Sequence, residues 1–105
     1  MNEETAVGRL DALGHHTRLL IFRILVKAGD DGLIVGDIQR DLNIPASTLS
    51  HHLTKLARVG LVSQGRRGRE VYCSVDCDEM RALIGFLTKE CCTVVALEQD
   101  AQDAA

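Results

Sequence analysis

The sequence predicts a mainly α fold with a β-hairpin wing, a winged helix-turn-helix, and three adjoining stretches carry that prediction. In Ala46–Leu56, Leu49, Leu53 and Leu56 fall at i, i+4 and i+7, one helical stripe that must face a core. Just before it, Leu33–Leu42 places apolar residues at Ile34, Val35, Ile38 and Leu42 and runs into Asn43-Ile44-Pro45. That reads as a short helix and a tight turn, since Asn tolerates the left-handed conformation. Just after it, Gly60–Gln64 and Glu70–Val75 alternate at period two around Gly65–Arg69, a hairpin with three arginines and two glycines at its tip. An unrelated surface helix would not need this order of neighbours.

Taken in order, the chain opens with polar Asn2–Thr5 and then places Val7, Leu10 and Leu13 at helical spacing, so a first helix is expected over 1–14, ending at Gly14. Acidic residues in its first turn suit the helix dipole. His15-His16 leads into the next helix and carries no functional assignment. Thr17–Ala28 is apolar nearly all round, which predicts the central core helix, closed by the turn Gly29–Gly32. The helix-turn-helix follows over about 33–58 and the wing over about 61–75. Asp76 as N-cap and Glu79 three residues on open a last helix expected to run over about 77–98. Its stripe of Met80, Leu83, Ile84, Leu87, Cys91, Val94 and Val95 is too long for one small domain to bury. A homodimer pairing the first and last helices across a two-fold axis is the expected outlet. Gln99–Ala105 is small, polar and acidic.

The 105 residues are expected to form one domain, 1–105. The formal net charge is −3, but it is unevenly spread: residues 46–75 hold Lys55, Arg58, Arg66, Arg67 and Arg69 against Glu70 alone, and the flanking segments are net acidic. A local positive face is what phosphate binding needs. No signal peptide is read at the start and no apolar run approaches the roughly 18 residues of a membrane span, so a cytoplasmic protein is expected, without a membrane partner. Thiols stay reduced there, and four cysteines are then ligands, redox groups or small core residues rather than disulfides. An enzyme is disfavoured, because no nucleophile–base–orienter set, phosphate loop or paired carboxylates are visible.

The partner these features point to is double-stranded operator DNA. On the helix 46–56 the side chains off the apolar stripe are Ser47, Thr48, Ser50, His51, Thr54 and Lys55, short and polar early and positive later, and His51 and His52 are both expected to contact base or phosphate. That suits a helix whose N-terminal end enters a major groove, with Arg66, Arg67 and Arg69 of the wing on the backbone or minor groove. A surface helix with no such role would need the same leucines, and the flanking turn and wing decide between the two.

Residues Thr17-Arg18, Gly32–Ile38, Ala46–Leu53 (with Ser47-Thr48-Leu49-Ser50-His51-His52 at its centre), Gly60-Leu61-Val62 and Arg67–Tyr72 together resemble the ArsR/SmtB family of metal- and metalloid-responsive repressors. The resemblance covers roughly residues 5–95. It implies a homodimeric winged-helix repressor that releases operator DNA when an inducer binds, with no resident cofactor required. The family's arsenic site in the helix before the turn uses cysteines, but Ile34-Val35-Gly36-Asp37 has none. Its zinc site in the last helix uses His, and residues 77–98 contain none.

Thiol chemistry at Cys73, Cys77, Cys91 and Cys92 remains, and thiolates select thiophilic ions. The Cys91-Cys92 tandem resembles the branch of the family that senses trivalent arsenicals through C-terminal cysteines. Cys77 lies about 21 Å along a helix from Cys91, too far to share a ligand with it. Cys73 sits four residues earlier on the wing strand and comes closer if the helix folds back beside that strand. The expected metalloid site is therefore Cys73, Cys91 and Cys92, taking As(III) or an organoarsenical(III), within one subunit or shared with the second. Two alternatives stay open: a thiol redox-responsive repressor of the same fold, and a constitutive DNA-binding module whose cysteines are core residues.

Overall fold

The computed structural model describes residues 1–94. Helix α1 (Glu3–Leu13) is capped by Asn2, whose side chain accepts from the Thr5 amide at 2.7 Å, and stops at Gly14. Its buried face is not the one its large apolar residues suggest. Ala6, Arg9 and Ala12 point inward, while Val7 and Leu10 are 59% and 42% exposed. Small alanines let α1 lie close against α2 and α4, a closeness that bulkier side chains at those positions would prevent.

Helix α2 (His16–Ala28) buries Arg18, Ile21, Phe22 and Leu25. It is central on that side only, since Leu19, Leu20 and Val26 remain exposed. His15 caps it, with Nδ1 accepting from the Thr17 amide at 3.2 Å.

A two-residue strand, β1 (Leu33–Ile34), precedes α3 (Val35–Leu42), so the residues read as the start of a helix begin as a strand. β1 pairs with β3 (Glu70–Val75), Leu33 opposite Cys73 and Ile34 opposite Tyr72. That pairing is invisible to local pattern, because its partner lies about forty residues away in sequence. Asn43 ends α3 in the left-handed region at φ 52°, and α4 (Ala46–Arg58) follows after Ile44-Pro45. β2 (Val62–Arg67) and β3 are joined by the two residues Gly68-Arg69, with Gly68 at φ 64°. Positive φ at the first loop residue is what Gly supplies in such a tight hairpin. The antiparallel sheet runs β1-β3-β2. One core joins Ile21, Phe22 and Leu25 of α2, Ile38 of α3, Leu49, Leu53 and Leu56 of α4, and Leu61, Val62, Cys73 and Val75 of the wing region.

Helix α5 (Cys77–Thr88) starts as read, with Asp76 accepting from the Glu79 amide at 3.1 Å. It ends ten residues before the expected 98. The Thr88 hydroxyl donates back to the Ile84 carbonyl at 2.8 Å, and Glu90 and Cys92 take positive φ. Ile84 and Leu87 are 53% and 56% exposed, so this chain offers no packing that would extend the helix. Positions 95–98 of the expected helix, including Val95, lie outside the described residues. Among those described, no helix is long and apolar enough to cross a membrane.

Candidate nucleic-acid interface and thiol site

The recognition surface starts from the leucine stripe of α4. Leu49, Leu53 and Leu56 are fully buried, which fixes the rotation of the helix and turns Ser47, Thr48, Ser50, His51 and Lys55 outward to exposed positions. No side chain caps the helix start at Pro45, so the first-turn amides are available to a phosphate. Beside it stands the wing. Arg66, Arg67 and Arg69 are all exposed, and the Arg67 guanidinium lies 4.4 Å from the centre of the Tyr72 ring. That stacking holds one wing cation in a defined place without neutralising it. Ser50 and Leu53 of α4 and Gln64 and Arg69 of the wing line one cleft of about 540 Å³, so helix and wing present a continuous surface.

His52 departs from the expected set. Its side chain is only 6% exposed and faces the core side, so it does not reach a groove. The reason is spacing: positions 49, 52, 53 and 56 form one helical face, and His52 belongs to it. Its Nδ1 lies 3.4 Å from Nη1 of the buried Arg18, whose Nε donates to the Ala12 carbonyl at 2.6 Å. Burial first, then His15, Arg18, His51 and Lys55, hold its pKa below the ordinary histidine value.

The cysteines divide into three environments. Cys73 is fully buried on the central strand between β1 and β2, and burial pushes its thiol pKa up, opposed by a hydrogen bond from Gln64. It is a core residue, and among the described residues no three His, Cys, Asp or Glu side chains converge to hold a metal ion. The expected grouping of Cys73 with Cys91 and Cys92 is therefore not formed within one subunit, because the middle strand of a sheet points this thiol into the leucine core. Cys91 and Cys92 are both exposed, and their sulfurs lie 3.5 Å apart in the turn after α5. Cys77, in the first turn of α5, is half-buried with its thiol 4.0 Å from Asp30 Oδ1.

Residues 13–64 match the family described as a helix-turn-helix domain. The chain is 35% identical over 85 residues to the nodulation protein NolR of Rhizobium meliloti, covering 81% of this chain and 67% of that one. It is 33% identical over 91 residues to the transcriptional activator HlyU of Vibrio cholerae, covering 87% and 82%. The solved structure of Vibrio cholerae HlyU superposes with a TM-score of 0.68 at 32% identity, over 88% of this chain and 99% of that one. An ArsR-like transcriptional regulator from Rhodococcus sp. RHA1 shares the fold, with a TM-score of 0.72 at 22% identity over 96% and 88%. The chain belongs to the ArsR/SmtB family.

As an ArsR/SmtB transcriptional regulator it binds DNA and is not an enzyme. Two residues that serve this ArsR/SmtB fold escape a sequence reading, Arg9 and Arg18. Both are buried, at 7% and 8% exposure, and both reach the recognition helix: Arg18 at His52, Arg9 at the Val59 carbonyl that follows the last turn. The usable signal was position, since Arg9 falls at i+3 between Ala6 and Ala12. A long guanidinium is normally assigned to solvent, and only tertiary contacts bring it inside.

Proposed function

We propose that this regulator is a repressor that holds operator DNA as a homodimer and releases it when Cys91 and Cys92 capture a trivalent arsenical. The observation that carries the reading is the pair of exposed sulfurs 3.5 Å apart, close enough for one thiophilic centre to bridge. An arsenical that already bears a methyl group needs two sulfurs, so methylarsenite suits this pair within a single subunit. Arsenite needs a third thiol, which a second subunit would supply, because Cys73 is closed off in the core.

The pair follows directly on α5, whose outer residues Ile84 and Leu87, with Val7 and Leu10 of α1, form the exposed apolar face that suits a two-fold partner. A ligand gripping the end of the dimer helix changes how two recognition helices are spaced, and that spacing must match successive major grooves. A 100-fold loss of operator affinity requires about 2.7 kcal/mol of differential binding to the released arrangement. Thiolate–arsenic bonds supply energies of that scale.

The test measures binding to operator DNA by fluorescence anisotropy against arsenite, methylarsenite, antimonite, zinc, cadmium, mercury and peroxide. Release by the trivalent arsenicals, lost in a Cys91→Ser, Cys92→Ser double variant that still binds DNA, supports the reading. Release by peroxide alone transfers the same two sulfurs to redox sensing, although adjacent cysteines bridge only with backbone strain. Binding that ignores every one of these agents leaves a constitutive DNA-binding protein.

A further inference from the structure

His52 is the buried polar side chain of the helix that carries the groove-facing residues, and basic side chains surround its ring. From α2, Arg18 sets Nη1 3.4 Å from His52 Nδ1, and this guanidinium is itself anchored by Nε donating to the Ala12 carbonyl at 2.6 Å. Arginine has only donors, so His52 Nδ1 must be the acceptor and the proton of the neutral ring sits on Nε2. From the junction of α1 and α2, the His15 ring lies 4.8 Å away. Along α4 itself, the His51 ring lies 5.8 Å away and Lys55 follows at i+3. The charged and titratable groups that face His52 are thus Arg18, His15, His51 and Lys55, with no carboxylate among them.

We propose that neutral His52 is a positioning residue for DNA binding: it docks the recognition helix on Arg18, and its protonation undocks that helix and weakens operator binding in acid. An imidazolium at this place has no lone pair for Arg18 and puts two cations in contact inside a buried corner. The repulsion is relieved by moving α4 away from the α1–α2 corner. Ser50, His51 and Lys55 ride on the same helix, so their fit to a groove moves with it. The lowered pKa of His52 sets the threshold on the acid side of 6.5. The proposal rests on the DNA-binding function and is independent of any thiol sensing.

The experiment pairs imidazole ¹⁵N NMR of the full chain with fluorescence anisotropy on a duplex selected from a random library near neutral pH. In the free protein, His52 should show a bare Nδ1, a protonated Nε2 and a titration midpoint below 6.5. Between about pH 8 and about pH 5.5, wild-type affinity should fall several-fold more than that of His52→Asn, whose side-chain oxygen still accepts from Arg18 but cannot titrate. A protonated Nδ1 in the wild type overturns the proposal, and so do parallel pH profiles of the two proteins. Should His52→Asn not fold, the wild type alone decides: affinity lost with the midpoint of His52 supports the proposal, and affinity lost at another midpoint or not at all overturns it.

Discussion

Arg9 of α1 and Glu79 of α5 form an ion pair, Nη1 to Oε2 at 2.7 Å, and the same guanidinium donates through Nε to the Val59 carbonyl at 2.8 Å. One side chain thus ties both helices of the apolar outer face to the end of the recognition helix. Arg9→Met keeps most of the packing volume but leaves the Val59 carbonyl without this donor and Glu79 without its cation. Chemical denaturation should show a loss of about 1–3 kcal/mol. Glu79→Gln should cost under about 1 kcal/mol, because Glu79 is 44% exposed and water screens the pair. Equal losses from the two variants would show that the ion pair, and not the buried carbonyl contact, dominates.

On the wing, Arg67→Ala should weaken binding to all DNA sequences alike and reduce the slope of log affinity against log salt by about one for each bound subunit. Tyr72→Leu removes the ring under that guanidinium and should have the same character at smaller amplitude. Ser50→Ala should instead change which sequences are preferred, measured by selection from a random duplex pool. An unchanged salt slope in Arg67→Ala would remove this residue from the phosphate contacts.

The exposed face of α1 and α5 gives a third expectation. Ile84→Glu places a charge at the centre of the face while touching no core residue, since Ile84 is 53% exposed. Light scattering at micromolar concentration should then report a monomer where the wild type is a dimer. Operator affinity should drop on the order of 10²-fold or more, because two linked half-site contacts become one. A wild type that is already monomeric would end the dimer reading.

Cys73 should behave as core and not as ligand. Alkylation of the folded chain should modify Cys91 and Cys92 rapidly and spare Cys73, which is buried and holds its proton more tightly than an ordinary thiol. The pH consequence has a definite sign. Because the folded pKa lies above the unfolded one, the unfolded chain gives up this proton first as pH rises. The stability this group contributes is complete below the unfolded thiol pKa and declines on the alkaline side as pH climbs toward the folded value. Denaturation midpoints of wild type and Cys73→Ala should therefore converge above about pH 9 and stay apart by a constant amount near neutrality. Arsenical response in Cys73→Ala should match the wild type.

Much of the architecture is written in local pattern. The stripe Leu49, Leu53, Leu56 fixed both the existence and the rotation of α4, Asn43 marked the turn before it, and the stretch Gly65–Arg69 marked the wing, although the strand β2 continues through Gly65–Arg67 and leaves only Gly68-Arg69 as the loop. These features are legible because helix and strand periods, together with special backbone conformations, impose residue types position by position. The vicinal cysteines were likewise visible as a pair.

Tertiary structure alone decided what depends on distant neighbours. Local pattern gave α1 a face of Val7, Leu10 and Leu13, yet close approach to α2 and α4 selected Ala6 and Ala12 and drew Arg9 inside. Strand β1 exists because Leu33 meets Cys73 across the sheet, and that same pairing closed Cys73 within the core and separated it from Cys91 and Cys92. His51 and His52 are adjacent in sequence but sit about 100° apart around the helix axis. One reaches solvent, and the other meets Arg18, a residue thirty-four positions earlier. A sequence lists which groups can donate, accept or titrate; which of them lose water, and against whom, is set only when the chain has folded.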